Sequence, residues 1–281
     1  MKYGVTASTG KFGKKAVEYL IELVDKADIV AFARDTKKAK EILPTGIEIR
    51  HADYTDEKGL EEAFTGIGRL LFVSSVPGGS YPRDKQHLNV VEAAKNVGVD
   101  FVAYTSFPHA NEAKSPLAGD HKITEEALSK SGLKYAFLRN NWYLENQADM
   151  IKGSLAGHAF QYSAGEGRVG WALEKEYAEG AAKVLATKSP KEVYEFAGKS
   201  LSFADLAKII STVSKKEFKV ESLSDDEYRV ELNKAGLSGA ADVIIMIQNL
   251  IRDGELTENE SDLVDVLGRK LTPLEDAFLE L

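Results

Sequence analysis

The sequence predicts an α/β protein, a doubly wound parallel sheet followed by a smaller C-terminal α/β lobe. Three observations carry this reading. Over residues 1–148, short β-type runs alternate with amphipathic helical segments across short connections, the pattern of a parallel sheet covered on both faces. The first run passes directly into a glycine turn and then a helix. Past Asn146 the alternation loosens into a glycine-rich stretch and a shorter mixed segment.

The strands are expected at residues 3–6, 29–33, 47–51, 69–73, 101–105 and 135–139. Amphipathic helices are expected between them at 14–24, 37–43, 57–65, 84–96 and 122–131, several leaving through glycine-containing turns such as Gly66-Ile67-Gly68 and Ser131-Gly132. Right-handed crossovers make a doubly wound sheet the economical topology. Domain boundaries follow as 1–148 and 149–281. In the second part, residues 151–170 read as a glycine-rich, mixed stretch that includes a loop beside a ligand cleft. Helices are expected at 177–187, 202–214 (with Ser202 as N-cap), 224–235 and 243–251, with short strands at 193–197 and 218–222 and an acidic linker over 253–262.

The opening stretch is Lys2-Tyr3-Gly4-Val5-Thr6-Ala7-Ser8-Thr9-Gly10-Lys11-Phe12-Gly13. Strand, glycine turn and helix together present backbone N–H groups and a positive helix end to a diphosphate, which is the Rossmann-type arrangement. Gly10 has no Cβ to hold the phosphates away, and Gly13 allows the helix to pack closely on the strand. Alanine stands at the first glycine position of the pattern, and Ala7 fits there only if its φ is negative. About twenty residues on, the strand 29–33 ends in Arg34. A guanidinium there matches a ribose 2′-phosphate in charge and forked geometry, so NADPH is expected in preference to NADH. Asp35 keeps a lesser NAD reading open, and Lys37, Lys38 and Lys40 read as a solvated helix face. Asp53, just past the third strand, is placed to accept from an adenine amine or else to cap the helix beginning near Asp56.

Composition sets the exclusions. With 44 acidic against 36 basic residues the net charge is −8, which argues against nucleic acid or an anionic membrane as partner. The absence of cysteine removes disulfides, thiolate nucleophiles and cysteine metal sites. No leader pattern or long apolar run is present, so a cytoplasmic location is expected. His109 and His121 lack ligands at metal spacing, and no metal is expected. No nucleophile elbow supports hydrolysis.

Four later stretches add a family: Phe72-Val73-Ser74-Ser75, Gln86-His87-Leu88-Asn89-Val90-Val91, Ala103-Tyr104-Thr105-Ser106 and Leu138-Arg139-Asn140-Asn141-Trp142-Tyr143-Leu144-Glu145-Asn146. With the glycine turn, they make the chain resemble the NmrA-like branch of the atypical short-chain dehydrogenase/reductases, most closely the NAD(P)H:quinone oxidoreductase type 2 members. The resemblance covers residues 1–210 and is vaguer beyond. It implies that Thr6, Ala7, Ser8, Thr9, Gly10, Lys11, Phe12 and Gly13 wrap the pyrophosphate, and that Arg34 holds the 2′-phosphate. It implies that Ser74 and Ser75 run along the nicotinamide-side ribose and that Thr105 and Ser106 lie beside the nicotinamide. His121 would sit near that ring, and Asn141, Trp142 and Tyr143 would floor the pocket.

Many short-chain dehydrogenases protonate an alkoxide with a Tyr-x-x-x-Lys pair. Tyr104 is followed four residues later by Pro108, and that spacing occurs only at Tyr54/Lys58 and Tyr81/Lys85, neither well placed. A quinone needs no such pair, because hydride addition gives a stabilised phenolate that water protonates. Positioning and modest oxyanion stabilisation suffice, with Tyr104, His121, Asn141 and Tyr143 as candidate donors. Structural readings stand beside these: Trp142 and Tyr143 as core aromatics, His87 and Asn89 as hydrogen-bonding scaffold. The expected function is NADPH-dependent reduction of a quinone or similarly flat electrophilic acceptor. The alternative is a non-catalytic NADP(H)-binding redox sensor. The oligomeric state stays open, with a homodimer admitted.

Overall fold

The computed structural model describes residues 1–281. In chain order the elements begin β1 (Lys2–Val5), α1 (Lys11–Leu20), β2 (Ile29–Ala33), α2 (Thr36–Ile42), β3 (Glu48–His51), α3 (Glu57–Phe64), β4 (Ile67–Phe72), α4 (Arg83–Asn96), β5 (Phe101–Ser106), α5 (Gly119–Ser131) and β6 (Lys134–Asn140). There follow α6 (Ala148–Leu155), β7 (Phe160–Tyr162), β8 (Arg168–Val169), α7 (Glu174–Ala186), β9 (Val193–Phe196), β10 (Leu201–Ser202) and α8 (Phe203–Ser214). The chain closes with β11 (Val220–Ser222), α9 (Asp225–Lys234), α10 (Ala241–Arg252), α11 (Leu263–Leu267) and α12 (Leu274–Ala277).

Two compact units result. The first comprises 1–140, 174–196 and 262–269; the second comprises 141–173, 197–261 and 270–281. The sequence suggests a single cut at 148, but both units are discontinuous. In the first, seven parallel strands run in the order β3-β2-β1-β4-β5-β6-β9, a doubly wound, Rossmann-type sheet. The seventh strand is the main departure. The helix expected at 177–187 is the crossover α7, and the strand expected at 193–197 is β9, which extends this sheet beside β6 with Phe137 opposite Val193 and Asn140 opposite Phe196. A β-strand of four residues carries no mark of which sheet it joins, whereas a thirteen-residue helix rich in buried Ala and Gly packs closely on α1 and β4–β6.

Strands β2 and β5 are buried at every position, as central parallel strands with helices on both faces must be. On the face of α3, α4 and α5, Phe32, Phe64, Phe72, Leu60, Val102 and Tyr104 form one apolar cluster. Phe32 meets Phe64 edge-on at 5.0 Å and 69°. Burying one such ring contributes about 1.5–3 kcal/mol. At the end of β6, Arg139 pairs with Glu125 at 2.7 Å and with Glu195 at 2.9 Å. Burial opposes its charge, but the two carboxylates outweigh that and raise its pKa.

The second unit has two small sheets, β10 antiparallel to β8 and β11 parallel to β7. Most of helix α6 and the short strands β7 and β8 fall in the mixed stretch 151–170, where three-residue strands have no readable period. Ser202 caps α8 in a full capping box with Asp205, as expected from sequence. Trp171 stands edge-on to Phe203 at 5.2 Å, and Tyr228, Leu232, Ala241 and Ile245 close the α9–α10 hairpin. No helix is long and apolar enough to cross a membrane.

Candidate functional site

At the carboxyl ends of β1–β4 lies a cleft of about 610 Å³, lined by the glycine turn (Ala7, Thr9, Gly10), by Arg34, by Ala52–Thr55 and by the loop from Ser74 to Tyr81. This is where an open α/β sheet places its ligand, beside the strand at which the order reverses. Two backbone hydrogen bonds hold the floor of the cleft. The Ala7 carbonyl accepts from Gly10 N at 3.0 Å, and Ser8 N donates to the Phe32 carbonyl at 3.1 Å, fixing the turn to β2. No side chain caps α1, whose N-cap is Gly10.

The three small residues of the turn have different reasons to be small. Gly13 is required by the fold, since a β-carbon there would lie 2.4 Å from the Ala7 carbonyl oxygen. Gly10 has φ −78° and ψ 164°, open to any residue, and a β-carbon would meet only the Ala7 oxygen at 3.4 Å. Its lack of a side chain therefore leaves space on the cleft side rather than inside the protein. Ala7 has φ +49°, which corrects the expectation of a negative φ. The left-handed conformation costs a residue with a Cβ about 1 kcal/mol, and the bonds to Gly10 and around Ser8 hold it there.

The other expected residues divide into those at the cleft and those behind it. Thr6 is fully buried: its Oγ1 accepts from Val73 N at 2.9 Å and donates to the Leu71 carbonyl at 3.2 Å, tying β1 to β4. Ser8 is buried with its hydroxyl on the Val5 carbonyl at 2.6 Å. Lys11 is exposed at the start of α1, and Phe12 is buried in its first turn. Arg34 lines the cleft, exposed and without a hydrogen bond or ion pair. Asp35 is the N-cap of α2, its Oδ1 accepting from Lys37 N at 3.0 Å and Lys38 N at 2.9 Å. That commitment explains the acid without an NAD ribose. Asp53 faces the cleft, its Oδ1 taken by Thr55 N and Oγ1 at 2.9 Å; the cap of α3 is Asp56.

Ser74 and Ser75 line the cleft. Ser74 N donates to Thr105 Oγ1 at 2.8 Å, so Thr105 stands behind the serine. Ser106 points elsewhere, donating to Glu125 Oε1 at 2.6 Å within the Arg139 ion-pair group. Tyr104 and His121, expected as donors to substrate, are buried and bonded to each other at 2.8 Å (Tyr104 with no exposed surface) and are not part of the cleft wall. Burial pushes the Tyr104 phenol well above its ordinary value. Both sit between β5, α4 and α5, where a strand buried on both sides gives its polar residues no route outward.

Asn141, Trp142 and Tyr143 belong to the second unit. The Asn141 amide donates to the Leu256 carbonyl at 3.2 Å and accepts from Trp142 N at 2.8 Å. Tyr143 bridges to Ala172 through the backbone and is half-buried. The cleft also contains residues the sequence does not single out as binding groups: Tyr54, Val76–Tyr81 and Gln86. The Tyr54 hydroxyl lies against Thr6 Oγ1 and 2.8 Å from the Val73 carbonyl, and burial raises its pKa. Only its nearness to Asp53 could have signalled it.

A parallel sheet of this order, with a glycine turn after β1, a free arginine after β2 and a cleft between them, defines a dinucleotide-binding α/β protein. Comparison with known proteins makes this specific. A family model described as NAD(P)H-binding matches residues 7–163. Quinone oxidoreductase 2 of Escherichia coli is 35% identical over 280 residues, covering 99% of this chain and 97% of that one. An NmrA-like family domain-containing oxidoreductase of Aspergillus flavus is 25% identical over 292 residues, covering 100% and 95%. The crystal structure of the Escherichia coli NADPH-dependent quinone oxidoreductase complexed with NADPH superposes with a TM-score of 0.93 at 34% identity, covering 99% of each chain. The chain belongs to the NAD(P)H-binding family, in its NmrA-like branch, together with the type 2 quinone oxidoreductases.

Proposed function

We propose that the protein is an NADPH-dependent reductase that passes hydride to a quinone or a similarly flat electrophilic acceptor. The observation that carries this is the pairing of a glycine turn with the unpartnered Arg34 across one cleft, in a chain 35% identical to a quinone oxidoreductase along its whole length. The residues present fit the cofactor. Gly10 leaves the cleft side of the turn open, and Arg34 has every guanidinium donor free for a phosphate. Ser74 and Ser75 offer hydroxyls further along. Bound there, NADPH supplies the hydride and its electron pair.

The chain's own part is positioning. Arg34 holds the 2′-phosphate, Asp53 accepts from the adenine with its uncommitted Oδ2, and the turn from Ala7 to Gly10 receives the diphosphate through its backbone. Quinone reduction takes one hydride and one proton, and water supplies the proton to the phenolate. Among the four expected donors, Tyr104 and His121 are buried and bonded to each other and the Asn141 amide is engaged at both ends; Tyr143 stays the proposed donor to the developing oxyanion, as the family resemblance implies. Tyr143→Phe should lower kcat with little change in KM for NADPH. The acceptor is a small molecule, the location cytoplasmic, and nucleic acid plays no part.

A panel of quinones, enals and imines with NADPH tests the proposal. Turnover with quinones supports it, and cofactor binding without oxidation by any acceptor favours the sensor instead.

A further inference from the structure

The loop from Ser74 to Arg83, which forms one wall of the cleft, is held at both ends and by nothing in its middle. At its start, Ser75 N donates to His87 Nε2 at 3.1 Å and the Ser75 carbonyl accepts from Arg83 Nε at 2.6 Å. At its end, the Tyr81 carbonyl accepts from Gln86 Nε2 at 3.0 Å, and Asn89 Nδ2 reaches the Tyr81 hydroxyl at 3.3 Å. Between them, residues 76–80 make no hydrogen bonds, and Val76 is 83% exposed.

The anchor at Ser75 continues inward as a directed chain. A backbone N–H and a guanidinium only donate. His87 Nε2 accepts from Ser75 N, and His121 Nε2 accepts from Arg83 Nη2 at 3.2 Å, so both rings carry their proton on Nδ1. His87 Nδ1–H then donates to Thr124 Oγ1 at 2.8 Å, whose own proton goes to the Asp120 carbonyl at 2.6 Å. His121 Nδ1–H donates to the Tyr104 hydroxyl at 2.8 Å. The Ser75 hydroxyl also lies 3.2 Å from His87 Nε2 and the Tyr104 hydroxyl 3.3 Å from His87 Nδ1, and reversing either ring would set donor against donor. Such a network is all-or-none: loss of one member leaves buried groups unpaired.

We propose that Arg83 and His87 are positioning residues for the dinucleotide: by fixing both backbone groups of Ser75 they set the wall of the cleft that faces Gly10 and Arg34. They touch no ligand themselves. Their effect is exerted on cofactor affinity, through the width of the cleft, rather than on hydride transfer. The inference rests on the reading of the cleft as the NADPH site.

Arg83→Lys keeps the charge but cannot serve the Ser75 carbonyl and His121 together. His87→Leu removes the acceptor, and His87→Gln restores one near the Nε2 position. Calorimetry with NADPH should show Kd raised about tenfold or more in Arg83→Lys and His87→Leu, since a charge-assisted or buried hydrogen bond is lost. His87→Gln should return to within about threefold of wild type, and kcat at saturating NADPH should stay within about threefold in all of them. If His87→Leu does not fold, Arg83→Lys carries the test. Unchanged Kd values, or a collapse of kcat with Kd preserved, would overturn the inference while leaving the cleft as the NADPH site. A wild type that binds no NADPH would overturn both.

Discussion

The position that a β-carbon would take on Gly13 lies 2.4 Å from the carbonyl oxygen of Ala7, whereas one on Gly10 meets that oxygen only at 3.4 Å. One glycine serves the fold, and the other leaves space on the cleft side of the turn. Gly13→Ala must push α1 away from the turn, at about 1–3 kcal/mol for a backbone collision. Gly10→Ala should leave the stability within about 1 kcal/mol of wild type but weaken NADPH at least about tenfold, a difference of ~1.4 kcal/mol. Denaturant midpoints beside a binding titration separate the two.

Ala7, held at φ +49°, gives a second contrast. Glycine there relieves the left-handed strain of about 1 kcal/mol but gains a similar freedom in the unfolded chain, so Ala7→Gly should be near neutral. Ala7→Val should destabilise by about 2 kcal/mol, because a β-branched residue tolerates positive φ worst. Thermal melts of the two variants measure the difference.

Arg34 faces the cleft without a protein partner. Arg34→Ala should therefore weaken NADPH by about 10- to 100-fold, as expected for loss of a forked phosphate contact worth ~1.5–3 kcal/mol, and barely change NADH. Parallel titrations with the two cofactors read this directly; equal losses would remove the reason for assigning the 2′-phosphate to this side chain.

The buried histidines set an acid limit. Burial first, and then the Arg83 charge, lowers the His87 pKa from its ordinary 6.5 to about 3, and His121 is lowered by burial, Arg83 and His87. Asp120 and Glu125 lie on the helix that carries His121, their charges reach its partner Tyr104, and Asp120 pairs with Arg83 at 3.5 Å. The unfolded chain binds these protons more readily, so the stability they contribute is complete above about pH 6.5 and is lost as pH falls below it, for His87 toward about 3. Carboxylates with lowered pKa, such as Glu48 at about 2, act only below the ordinary carboxylate range. Between about pH 6.5 and 5 the histidines therefore dominate, and His87→Gln should show a shallower fall in denaturant midpoint than wild type.

The sheet and the glycine-turn side of the cleft are legible in the sequence because they are local. Alternating periods mark β1 to β6, and Gly10, Gly13 and Arg34 sit at fixed distances from strand ends. What is not legible depends on pairing at a distance. Strand β9 joins the first sheet beside β6 after a crossover, α7, that packs on α1. The loop from Val76 to Tyr81 reaches the cleft without any periodic pattern to announce it. Tyr104 and His121 look like donors because tyrosine and histidine so often are. Whether β5, buried on both faces, turns a hydroxyl toward ligand or toward α4 and α5 is decided by neighbours that no spacing shows.

The decisive step is the reduction of a quinone by NADPH held in this cleft. Rapid mixing of the NADPH-loaded protein with a benzoquinone under anaerobic conditions measures that step alone. The expected result is a loss of NADPH absorbance equal to the quinol formed, faster than without protein and slowed by Tyr143→Phe. Bound NADPH that stays reduced, at the protein-free rate, would contradict it.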